Sequence, residues 1–121
     1  MNKTTKKHKW NNTDLLDSFN ELNRKYFGNK LKTPDRLAFV PLDGLGHTFR
    51  YRKGKRRRKN DTFGIHISTR TRFSKRLWYI SLAHEMIHLE QGLKYTCGPR
   101  GIKFNNRTID LVIDGAFKGV L

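Results

Sequence analysis

Cysteine occurs once in this chain of 121 residues, at Cys97. A single thiol excludes an internal disulfide and suits a reducing cytoplasm. Acidic residues are scarce as well, 10 Asp and Glu against 26 Lys and Arg. Long apolar runs are missing: Leu77 to Ala83, the longest uncharged apolar-rich stretch, falls far short of the roughly 20 residues that a membrane-spanning helix needs. The basic N-terminus MNKTTKKHKWNN has no apolar segment behind it, so it does not read as a secretory signal. There are no internal repeats and no linker that would divide the chain. These absences point to a soluble cytoplasmic protein of one domain, with no membrane partner.

What is present is a modest apolar core and a large positive charge. Hydrophobic residues make up 36% of the chain, with eight Phe, four Tyr and two Trp among them, enough to fold a domain of this size. The formal net charge is +16. A field of that strength on a small body favours a polyanionic partner, above all nucleic acid, through counterion release.

Periodicity predicts the elements. Residues 1–12 read as a basic flexible arm whose Lys3, Lys6, Lys7 and Lys9 extend the positive footprint, with Trp10 anchoring it to the body. Thr13 is placed to cap a first helix, with Asp14 and Asp17 in the first turn and an apolar stripe of Leu15, Phe19, Leu22 and Tyr26 ending at Gly28. Leu37 to Val40 reads as a buried strand. Thr48 to Arg52 and Gly64 to Ser68 alternate with period two and predict a hairpin with a long basic tip. A central helix follows from Ser74, weakening at Gly92, and a last helix runs from about Phe104 towards Phe117. Helix, three strands, helix, helix makes an α+β domain over residues 13–121.

The central helix carries SLAHEMIHLEQ, with His84, Glu85 and His88 in the H-E-x-x-H pattern. Residues four apart lie on one helical face a turn apart, so two imidazoles can converge on one cation. Glu85, rotated by about 100°, stays beside the open coordination position, where it can act as a general base on water activated by the metal. Two hydrogen-bonded histidines on a buried helix would carry the same letters. The match falls on an independently predicted helix, in register with its core face, and that favours the metal.

The hairpin tip RYRKGKRRRK contains Arg50, Arg52, Lys53, Lys55, Arg56, Arg57, Arg58 and Lys59. Phosphate backbones are the natural partner of so dense a cluster, and contacts of that kind position a protein without reading sequence. Tyr51 is placed either to stack on an unpaired base or, better, as a sheet residue facing the core.

Taken together, FNELNRKYFGNKL, LAFV, HTFRYR, GIHIS and WYISLAHEMIHL resemble the SprT family of small zinc metallopeptidases, which includes the Spartan proteases acting on DNA–protein crosslinks. The resemblance covers Leu15 to Leu89, and HEMIHL is its most specific part. It implies a zincin-like fold in which a short sheet packs on the metal-bearing helix. It also implies Zn2+ held by His84 and His88, Glu85 as general base, and hydrolysis of peptide bonds in proteins brought close by DNA.

One departure follows. The family places a third zinc-binding histidine downstream, followed by glycine and, three residues on, phenylalanine; here Gly101 and Phe104 stand in place but Arg100 occupies the histidine position. Arginine has no lone pair to donate, and catalytic zinc normally takes three protein ligands. Cys97, three residues before Arg100, is the favoured replacement; Asp110, Asp114, His66 and His47 are the others. Alternatively the scaffold is degenerate, a non-catalytic nucleic-acid-binding module in which Arg100 adds a basic side chain or pairs with Glu85. In the catalytic case the strand Ile65 to Ser68 is expected to hold the substrate by strand addition, with His66 near the cleft.

Overall fold

Asn11, not Thr13, caps the first helix, α1 (Asn12–Tyr26). In the computed structural model, which describes residues 8–51, 62–91 and 99–119, the Asn11 side-chain oxygen accepts from the Asp14 amide at 3.2 Å. Asp14 in turn accepts from the Asn11 amide at 2.8 Å. Asparagine is a stronger cap than threonine, and an acid at the third helical position closes the reciprocal box. Upstream, the Trp10 amide donates to the Arg72 carbonyl and Arg72 Nε donates back to the Trp10 carbonyl, so Trp10 is tied to the body. Residues 1–7 lie outside the described region.

The apolar stripe of α1 is buried as its spacing requires, with Leu15, Phe19 and Leu22 sealed from solvent and Tyr26 packed at the margin. Asn23 is buried too. Its side chain donates to the Leu31 carbonyl at 2.8 Å and accepts from the Leu31 amide at 3.1 Å, which turns the chain back after Gly28. Gly28 takes a positive φ of 63°, a conformation that costs glycine no steric penalty.

Three strands follow: β1 (Arg36–Val40), β2 (Gly46–Tyr51) and β3 (Thr62–Ser68). Their order in the sheet is β1-β3-β2, with β1 parallel and β2 antiparallel to β3. The expected hairpin is therefore present, but β3 is the central strand and both its edges are paired. That corrects the assignment of Ile65 to Ser68 as a substrate-binding edge; among the described residues, β1 and β2 are the strands at the sheet's edges.

Register fixes the two faces. Leu37 and Phe39 pair with Ile65 and Ile67, which pair in turn with Thr48 and Gly46, so all six lie on one face. The helices pack there, and Ile65 and Ile67 are fully buried. Arg36, His47, Phe49, Gly64 and His66 fall on the opposite face by the same alternation.

A short 3-10 turn at Thr69–Thr71, not anticipated from periodicity, leads to α2 (Lys75–Glu90), which begins where expected, with Ser74 as its cap. Trp78, Leu82, Ala83, Met86 and Ile87 are buried, as befits a helix between sheet and neighbouring helices. The last helix, α3 (Pro99–Ile113), starts earlier than expected, because proline suits the first helical position where its missing N–H is no loss. It also stops earlier. Gly115 at φ 89° lets Ala116 donate to the Leu111 carbonyl and Gly115 to that of Val112, which closes the helix in a Schellman motif. The result is the expected α+β arrangement of three helices about a small sheet. No helix among the described residues is long and apolar enough to cross a membrane.

Arg107 fastens α3 to both other helices. Its Nε donates to Glu90 Oε1 at 2.8 Å, another of its nitrogens donates to the Tyr26 carbonyl, and its guanidinium lies 4.7 Å from the Phe27 ring centroid. The helix bearing Arg100 is thereby anchored to the C-terminal ends of α1 and α2.

Candidate metal centre

One turn of α2 separates His84 from His88, and their Nε2 atoms lie 3.2 Å apart. Two nitrogens bound tetrahedrally to zinc at about 2.0–2.1 Å must themselves lie roughly 3.3 Å apart. The pair thus has the bite that a zinc ion requires. A carboxylate oxygen of Glu85 is within 4.8 Å of both ring nitrogens, and these three residues form the group among the described residues with the geometry to hold a metal ion.

The charge states favour the same use. Partial burial holds the His84 pKa below its ordinary value even though the residue remains open to solvent at its edge. Burial, with the charge of His84 added, does the same for His88. Both shifts favour the neutral imidazole, the form that can donate a lone pair to a metal.

Glu85 is only 5% exposed. Burial raises its pKa, and a hydrogen bond from Thr48 pulls it partly back. The Thr48 hydroxyl donates to Glu85 Oε1 at 2.7 Å and also lies 3.2 Å from the Glu85 carbonyl. A carboxylate so held has one oxygen orientated by the sheet, and its raised pKa lies closer to neutrality, as a general base needs.

Gly46 brings β2 this close. A Cβ at that position would sit 3.0 Å from Glu85 Oε2 and 3.2 Å from Ile67 Cδ1. Beside it a half-open hollow of about 270 Å3 is lined by Leu45, Gly46, Ile80, Ser81, His84 and Glu85. Ser81 is 5% exposed, and its hydroxyl has no hydrogen-bond partner among the described residues.

His84, Glu85 and His88 are therefore brought together as the motif implies. His66 and His47 are not: they occupy the sheet face turned away from α2, which removes both as replacement ligands and places His66 away from the cleft. Period-two alternation is the reason, because α2 covers the face of Ile65, Ile67 and Thr48. Asp110 and Asp114 are exposed and do not join the ligand group. Cys97 and Gly92 lie outside the described residues, as do Arg52, Lys53, Lys55, Arg56, Arg57, Arg58 and Lys59. Arg50 and Tyr51 belong to β2, and Arg100 to the first turn of α3; only their backbones are described.

Sequence reasoning missed Thr48, Gly46 and Ser81. Thr48 carried a usable signal, since its alternation with Phe49 places it on the helix-facing side. Its partner on α2, however, is 37 residues away and is set only by tertiary packing. No protein-family model, curated protein or solved structure matches the chain.

Proposed function

We propose that this protein is a zinc metallopeptidase of the SprT type that acts on proteins associated with nucleic acid. The observation that carries the proposal is the 3.2 Å spacing of the His84 and His88 nitrogens beside a buried carboxylate held by Thr48. A bound zinc ion would polarise the scissile carbonyl and lower the pKa of water at the site. His84 and His88 hold the ion, and Cys97, three residues ahead of Arg100, is the proposed third ligand.

Glu85 takes the proton of the attacking water and returns it to the leaving amine. Thr48 keeps Oε1 of Glu85 turned to the sheet, which leaves the second oxygen for this proton transfer. The extended substrate lies along the open edge of β2, the strand that Gly46 and Thr48 bring against Glu85. The net charge of +16 and the basic run between β2 and β3 supply the attraction to nucleic acid.

The test is Glu85→Gln, which keeps the size and the hydrogen bond from Thr48 but removes the base. Cleavage of a DNA-bound protein is expected to vanish while DNA affinity stays as it was; undiminished cleavage would remove Glu85 from the mechanism. A second reading has one feature in its favour: the only described third member of the metal group is Glu85, already engaged by Thr48. In that reading the chain is a nucleic-acid-binding module on a degenerate zincin scaffold, and purified protein carries no metal.

A further inference from the structure

The hollow beside the metal centre combines apolar side chains with one buried hydroxyl, a combination that the proposed hydrolysis leaves unused. Leu45 and Ile80 line it, and Leu45 stands 57% exposed. Leu77, one helical turn before Ser81 on the same face of α2, is 47% exposed. The Leu45 carbonyl accepts from the Ser68 amide at 2.9 Å, so the backbone of this side of the hollow is held to the end of β3.

Ser81 is the polar member. A serine inside a helix commonly bonds the carbonyl four residues back, here that of Leu77, yet its hydroxyl is buried with no partner among the described residues. Buried polar groups in that condition are rare, because the lost contact with water is not replaced. Rotation about one side-chain bond can turn the hydroxyl to an incoming partner, to which it can donate or from which it can accept.

We propose that this hollow receives the substrate side chain that flanks the scissile bond, and that Ser81 selects tyrosine there. Size sets the class of occupant. About 270 Å3 lies below the roughly 300–1,000 Å3 of a pocket for a whole drug-sized ligand, so the space suits a single side chain. His84 and Glu85 border the same hollow, which places its occupant next to the bond under attack. Chemistry selects the side chain. Leu45 and Ile80 call for an apolar body and Ser81 for a hydrogen-bonding tip, and tyrosine has both. Phenylalanine and leucine leave Ser81 unpaired, a carboxylate meets the charge of Glu85, and an ammonium must shed its water among apolar walls. The inference rests on the peptidase reading and adds a side-chain preference to it.

The experiment uses the full chain and short blocked peptides that are identical except at one position, occupied by tyrosine, phenylalanine or alanine. In chelator, NMR of the Leu45 and Ile80 methyl groups reports binding without turnover; zinc-loaded protein then reports cleavage. The tyrosine peptide is expected to bind roughly two- to tenfold tighter than the phenylalanine peptide, with the alanine peptide weakest. Ser81→Ala should lower the affinity for tyrosine to that for phenylalanine and leave the latter unchanged. Leu45→Ser, at an exposed position where folding is not at stake, should weaken both alike. With zinc, kcat/KM should follow the same order. Equal affinity for tyrosine and phenylalanine, a margin that survives Ser81→Ala, or shifts that miss Leu45 and Ile80 would overturn the inference. Cleavage without side-chain preference would overturn it too, and leave the peptidase reading standing. Tyrosine-selective binding without cleavage would remove the peptidase reading and keep Ser81 as the selecting residue of a tyrosine site.

Discussion

Thr48→Val isolates the contact that joins the sheet to the proposed base. Valine keeps the branched shape and deletes only the hydroxyl that donates to Glu85 Oε1 at 2.7 Å. A hydrogen bond to a charged group contributes about 1.5–3 kcal/mol, and with Glu85 buried the upper part of that range applies to the ionised form. Losing it raises the Glu85 pKa further, because the ionised form alone gains the charge-assisted bond. Thr48 lowers that pKa and burial raises it, so removing Thr48 leaves burial unopposed. Two readouts follow. The acid limb of the kcat/KM profile should move to higher pH. Thermal unfolding should show a loss of about 1.5–3 kcal/mol at pH above the Glu85 pKa, fading as the pH falls and the carboxyl protonates. A loss of equal size at every pH would show that the Thr48 hydroxyl does not act through Glu85.

Gly46→Ala places a methyl group 3.0 Å from Glu85 Oε2, and because Thr48 and burial pin that carboxylate it cannot swing clear. About 1–3 kcal/mol of stability should be lost, together with weaker metal binding; calorimetry showing neither would mean that β2 can retreat without cost. Arg107→Ala removes two hydrogen bonds and a ring contact at a half-buried position, with an expected loss of about 1.5–3 kcal/mol, and Arg107→Lys should recover only part because an ammonium cannot span both acceptors. A denaturant midpoint that moves as little as for a surface ion pair would contradict this. In metal-free protein, Glu85→Gln should be more stable than wild type at neutral and alkaline pH. The fold raises the Glu85 pKa, so the native state is weakened as pH climbs through that raised value, and the advantage of glutamine should fade below the ordinary carboxylate value of 4.5. Melting curves in chelator that differ equally at acid and alkaline pH would contradict the burial of Glu85 as the cause.

Much of this was legible in the chain, and the parts that were not share a physical cause. The stripe of Leu15, Phe19 and Leu22, the start of α2 near Ser74 and the pairing of β2 with β3 depend on local spacing, and local spacing is what a sequence displays. The H-E-x-x-H spacing is local in the same sense, so the convergence of His84 and His88 followed from helix geometry alone. By contrast, Asn11 and Thr13 both qualify as caps, and the choice is made by Asp14 reaching back to the Asn11 amide. The central place of β3 depends on a parallel pairing with β1 across about 28 residues, which alternation cannot reveal. His66 was correctly opposed to Ile65 and Ile67, but only the side on which α2 packs tells that the site lies with the isoleucines. Thr48, Gly46 and the hollow beside Ser81 depend on tertiary contacts with no local signature.

Metal content of the purified protein tests the central claim most directly. One zinc per chain is expected, lost on His84→Ala or His88→Ala, with two imidazole nitrogens at about 2.0–2.1 Å by X-ray absorption. A sulfur at about 2.3 Å would identify Cys97 as the third ligand. Protein that binds no zinc when offered it, or binds it unchanged after His84→Ala, would contradict a metal centre on α2.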